Sequence, residues 1–143
     1  MLMLARILLT LTVLGYSLGT IRADFNKTHA TNPAWTPHAR FHVVWQILSY
    51  SGVGLIALYL IWLGSGGIES LWLATALSFV VYAAFFSAVF SRPVYQGSLF
   101  DANGYPSFRP PIGPEHWRWD VNVTVFAILS TILFAAVAAL LAS

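Results

Sequence analysis

The stretch VNVTVFAILSTILFAAVAALLA, Val121 to Ala142, contains no charged side chain. About 20 consecutive apolar residues suffice for a helix to cross the hydrocarbon core of a bilayer, so this stretch reads as a membrane span. Working outward, three more stretches have the same character: Ile68 to Phe90, Val43 to Leu63, and Leu2 to Ile21, the last interrupted only by Arg6. The short Gly64-Ser65-Gly66-Gly67 turn between the second and third spans turns the chain back on itself. The expected fold is all-α, a four-span antiparallel transmembrane helix bundle filling residues 1–143 as a single integral membrane domain. An even number of spans puts loops 22–42 and 91–120 together on one side of the bilayer.

Composition agrees. Of the 143 residues, 58% are hydrophobic and only 8% charged, against roughly a quarter in ordinary soluble domains. The net charge of +2 rests on few groups, which leaves no basic surface for nucleic acid. The chain has no cysteine, and this excludes disulfides, thiolate nucleophiles, zinc-thiolate sites and iron–sulfur clusters. The only lysine, Lys27, is in a loop, so a retinal Schiff base has no partner within a span. Four histidines are too few for the eight-histidine pattern of membrane di-iron desaturases.

The first span can be read as a signal peptide, with Arg6 as its basic end, Ile7 to Tyr16 as its apolar core and Ala23 as a cleavage point. Ile21 is too large for the small-x-small cleavage pattern, and Ser17, Thr20 and Asp24 continue the helical spacing, which favours a retained helix. The two longer loops hold six of the seven Lys and Arg residues. By the positive-inside rule they are cytoplasmic, whereas a signal-like N-terminus argues the opposite. Loop 91–120 is long but carries Tyr95, Phe100, Tyr105 and Phe108, a composition that suits a packed lid or an interfacial anchor and argues against a tether.

The polar residues worth chemical attention gather at the loop end. Thr36 and Pro37 form a helix start, with Thr36 as N-cap and Pro37 at the first helical position. From there His38, His42, Trp45, Gln46 and Ser49 share one helix face. Gly113 and Pro114 are expected to open the fourth helix, which would align His116, Asp120 and Thr124. Thr75, Ser78 and Tyr82 share a face of the third span. The His38-x-x-x-His42 spacing lets two imidazoles on one helix bind a single metal ion, and Asp24, His29, His116 or Asp120 would complete the sphere. A b-type haem held by His42 and His116 ranks behind a single metal ion. Without metal, His116 with Asp120, or Asp24 with a histidine across the helices, would form a carboxylate-oriented imidazole for proton transfer to a lipid-like substrate. The structural counterpart is an ionic cap in which Asp24, Glu115 and Asp120 neutralise Arg22, Arg40, Arg92 and Arg118.

Asn32-Pro-Ala-Trp-Thr-Pro-His-Ala-Arg-Phe-His42, followed by Trp45-Gln46, resembles the N-P-x-W-x-P-H-A-R-F-H signature of an uncharacterised family of small four-helix membrane proteins of bacteria and fungi. Upstream, Asp24 and His29 also resemble its pattern. The resemblance is strongest over residues 20–50. It implies a four-span fold with a polar cluster of Asp24, His29, His38, Arg40, His42 and Gln46, and it carries no activity.

The sequence thus leads to a bundle with a structured loop cap over a histidine-bearing pocket that binds a metal ion or a small lipophilic ligand, with enzymatic turnover left open. His38 and His42 are the primary ligands, and Asp24, His29 and His116 the completing candidates. Arg40, Gln46, Asp120, Glu115 and Arg118 are the supporting polar groups. The alternative is a non-catalytic accessory subunit of a larger membrane complex. Gly52, Gly54 and the Ala135–Ala142 stretch would allow close helix contact with such a partner or with a second copy.

Overall fold

The computed structural model describes residues 1–143 and contains five helices and no strands: α1 (Leu2–Tyr16), α2 (Leu18–Asp24), α3 (Pro37–Trp62), α4 (Ile68–Tyr95) and α5 (Val121–Leu141). Four helical segments have the length and hydropathy to cross a membrane: Leu2–Asp24, Pro37–Trp62, Ile68–Tyr95 and Val121–Leu141. The first combines α1 and α2, which meet at Ser17. Here the Ser17 and Thr20 hydroxyls bond back to the carbonyls of Val13 and Tyr16, a habit that disturbs regular helices.

Helix α1 is the centre of the packing. It touches α3, α4 and α5, while α3 and α5 do not touch each other. Its buried face is Ala5, Leu9, Thr12, Val13 and Tyr16. Arg6 Nη1 donates to the carbonyl of Ile61, the indole of Trp62 donates to Thr10 Oγ1 (3.0 Å), and the Tyr16 and Tyr50 rings meet edge to face. The Tyr82 hydroxyl donates to the Thr12 carbonyl (2.7 Å), which satisfies two polar groups at membrane depth, and the Tyr82 ring leads on to Phe126. Small residues set the spacing. A Cβ on Gly54 would lie 2.7 Å from Cβ of Ser17, so α1 and α3 approach closely there, whereas a Cβ on Gly52 would meet nothing within 4 Å. The two glycines, expected to serve alike, therefore differ: Gly54 is used within the chain and Gly52 faces outward. Leu48, Leu55, Tyr59, Phe79, Val80 and Phe134 cover the outer surface, which is compatible with a lipid bilayer around the helices.

Two helix ends differ from expectation. Helix α4 runs to Tyr95, past the Phe90 boundary, with Pro93 inside it. Proline has no N–H to offer the carbonyl four residues back, which is that of Val89; Arg92 Nε donates to it instead (2.7 Å). Helix α5 begins at Val121, not at Gly113–Pro114. Phe108 and Trp119 exchange a pair of backbone hydrogen bonds (3.0 and 2.9 Å), which holds the chain extended up to Asp120. Asp120 Oδ1 then caps the helix through the N–H of Val123 (2.9 Å).

Candidate functional site

Helix α3 starts where the sequence indicates, with Thr36 Oγ1 accepting from the N–H of Ala39 (3.2 Å). One turn of helix separates His38 from His42, and their Nε2 atoms lie 3.0 Å apart on an exposed face. Gln46 and Ser49 continue that face and are exposed too. Arg40 is half-buried and has no carboxylate within salt-bridge distance.

Asp24 and His29 also meet, with Nδ1 3.5 Å from the carboxylate. The same nitrogen lies 2.7 Å from Thr28 Oγ1, and the ring stands edge-on against Trp35. The two histidine groupings remain separate. No three His, Asp or Glu side chains come together in an arrangement able to hold a metal ion, so Asp24, His29, His116 and Asp120 do not complete a sphere around His38 and His42. Because α5 starts late, His116 is an exposed loop residue. The expected His116–Asp120–Thr124 face does not form, and the Asp120 carboxylate is engaged as a helix cap.

The ionic cap is likewise replaced by a different device. The two ion pairs are Asp24–His29 and the exposed Arg109–Glu115 (3.7 Å), and Arg118 Nη1 donates to the backbone carbonyls of Glu115 and Trp117. What joins the loops is Asp101. It accepts from the indole of Trp35 (2.8 Å) and, at longer range, from the Asn32 amide (3.4 Å). Asn32 is fully buried: its amide donates to the Thr28 carbonyl (2.8 Å) and its oxygen accepts from the Ala34 N–H (3.0 Å). The Trp35 indole and the Asn103 N–H beside it hold the Asp101 carboxyl below the usual carboxylate range. Residue types offered a partial signal. Asn32-Pro33 and Asp101-Ala-Asn-Gly104 are Asx-turn sequences, and both Asx side chains do bond two residues ahead. Nothing local, however, pairs one turn with the other.

Sequence reasoning also missed a cleft of about 580 Å³ between the end of α4 and the start of α5. Val89, Leu99, Val123, Ala127 and Ile128 form its apolar walls; Arg92, Arg118, Trp119 and Asp120 stand at its polar end. Its size is typical of small-molecule sites, and none of the four histidines lines it.

Compared with known proteins, the chain matches no family model, no curated protein and no solved structure.

Proposed function

We propose that this is an integral membrane protein, a four-span antiparallel bundle with a loop cap on one side, that binds a small lipophilic ligand in the α4–α5 cleft. The neighbouring of Arg6 with Ile61 and of Tyr16 with Tyr50 supports opposite directions for α1 and α3. The Asn32–Asp101–Trp35 bonds support a cap made by both loops on the same side. Five buried residues on α1 support retention of the first span. Membership of the family whose signature Asn32–His42 resembles belongs to the same proposal.

The observation that carries the ligand reading is the cleft itself, with walls that are apolar apart from Thr124 a full turn or more into α5 and with its charged groups only at the loop end. Photolabelling with a diazirine-bearing long-chain alcohol tests it. Labelling is expected to map to Val123–Ile128, to saturate, and to be displaced by unlabelled alcohol. Ala127→Trp, which fills the cleft, is expected to reduce it at least about tenfold. Labelling that never saturates, or that Ala127→Trp leaves unchanged, refutes the reading and turns attention to an accessory role in a larger membrane complex.

A second reading rests on the His38–His42 pair. Two ligands about 2.05 Å from one ion lie roughly 2.9 Å apart at a right angle and about 3.3 Å apart at a tetrahedral angle. The 3.0 Å separation of the Nε2 atoms, that of an imidazole–imidazole hydrogen bond without metal, is compatible with a chelate bite, and the remaining positions would be filled by water or a second copy. Copper(II) titrated into chain free of any histidine tag is expected to bind once per chain, and to lose that site in His38→Ala/His42→Ala. Binding that survives the double substitution rules the pair out.

A further inference from the structure

We infer that the occupant of the α4–α5 cleft is an anionic amphiphile, a carboxylate or phosphate head on an acyl chain, with its head held by Arg92 and Arg118. This rests on the ligand reading of the cleft and adds the chemical class.

Both guanidinium groups are anchored by backbone on one side and left open on the other. The Arg92 Nε bond to Val89 exists because Pro93 vacates that carbonyl, and it fixes the side chain at the edge of the cleft. Arg118 is fixed through Nη1 to the carbonyls of Glu115 and Trp117. No carboxylate approaches either group within 4.0 Å, since the ion pairs of the chain lie elsewhere. Asp120 is the one acid at this end of the cleft, and its Oδ1 is already bonded to the Val123 N–H. Two positive charges thus outnumber the one carboxylate at this end, which keeps its charge while capping α5, and the positive end of the α5 dipole lies beside them. Below them Val123, Ala127 and Ile128 descend for about 12 Å along α5, at 1.5 Å per residue from Asp120.

Arg118 is exposed and Arg92 half-buried, so both are hydrated; a lipophile that fills the cleft would take water from them at a cost, and a neutral one would offer no charge in return. An anionic head removes that cost, and the planar fork of arginine fits carboxylate and phosphate oxygens in pairs. The chain of such a ligand would meet a wall that is apolar apart from Thr124, whose hydroxyl is already bonded to the Asp120 carbonyl. Simple snorkelling of arginine to the interface explains the positions of the charges but predicts no preference for a bound head group.

Native mass spectrometry of the full chain in neutral detergent at pH 8 separates these outcomes, with oleate, oleyl alcohol, phosphatidic acid and inorganic phosphate as probes. Oleate or phosphatidic acid is expected to bind at least about tenfold more tightly than oleyl alcohol, which corresponds to about 1.4 kcal/mol. Whichever of the two binds better identifies the head as carboxylate or phosphate. Inorganic phosphate, which lacks a chain, should not displace either. Arg92→Gln and Arg118→Gln should each bring the anionic probe close to the affinity of oleyl alcohol while leaving the alcohol unchanged. Arg118 is exposed, so its variant keeps the test valid if Arg92→Gln disturbs the end of α4. Equal affinity for oleate, phosphatidic acid and oleyl alcohol would overturn the anionic assignment but leave the cleft as a lipophile site. Displacement by inorganic phosphate would also overturn the amphiphile assignment. Saturable binding of none of the lipids would overturn both.

Discussion

Gly54→Leu is expected to lower the stability of the detergent-solubilised protein by about 3 kcal/mol, the upper part of the range for overpacking a tight contact. The Cβ alone would come within 2.7 Å of Cβ and 3.0 Å of Oγ of Ser17, and Ser17 is itself buried. Neither helix can yield easily. Helix α1 is packed against α4 and α5 on its other sides, and Gly15 on α1 already lies so close to Leu129 that a Cβ there would collide with it. In lipid, where apolar surface gains little by leaving the solvent, such close approach of backbones through small residues is a main source of helix association. Gly52→Leu is the matched control. A Cβ there meets nothing within 4 Å, so its effect should stay within about 0.5 kcal/mol. Unfolding in mixed micelles of increasing denaturing detergent reads both. Equal losses for the two variants would mean that α1 and α3 do not meet at Ser17.

Asn32→Ala is expected to cost about 2–3 kcal/mol and to loosen both loops together. The substitution removes the bonds to the exposed Ala34 N–H and the half-buried Thr28 carbonyl and the longer one to Asp101, each worth about 0.5–1.5 kcal/mol. It also removes a contact between segments 69 residues apart, so protease sites in 96–104 should open along with those in 25–36. The same lock makes an acid-lability prediction. The Asp101 carboxyl is held below its ordinary value first by the Trp35 indole and then by the Asn103 N–H. A carboxyl whose pKa is lower in the folded than in the unfolded chain stabilises the fold above the unfolded value, near 3.9, and loses that contribution as pH falls through the folded value. Melting measured between about pH 6 and pH 3 should therefore show a steeper decline below about pH 4 for the native chain than for Asp101→Asn. Parallel declines would remove Asp101 from the lock.

The sequence by itself determined that the chain has four membrane-length apolar segments, where α3 begins, and that the histidines and most of the charges gather at the loop end of those segments. These properties are local. Whether a window of about 20 residues prefers lipid depends on its own side chains, and an N-cap needs only the residue three positions on. The neighbouring of His38 and His42 was legible for the same reason, whereas Asp24, expected to pair with a histidine across the helices, pairs with His29 five residues on.

Tertiary structure alone decided which helix lies at the centre, where α5 starts, which acid ties the loops and where a ligand-sized cleft opens. Gly113-Pro114 is a sound helix start in isolation, but two backbone bonds between Phe108 and Trp119 outweigh it and hand the cap to Asp120. The sequence points to Asp24, Glu115 and Asp120 as the acids that join the loops and gives no sign of Asp101. Only Asp101 meets an indole and a buried amide, because those groups are supplied by chain some 70 residues away. Arg92 and Arg118 read as ordinary interfacial charges until the fold brings them to one cleft whose single acid, Asp120, forms an ion pair with neither. Apolarity and capping act over a few residues, whereas pairing and enclosure depend on segments far apart in sequence, and packing of the helices is what brings them together.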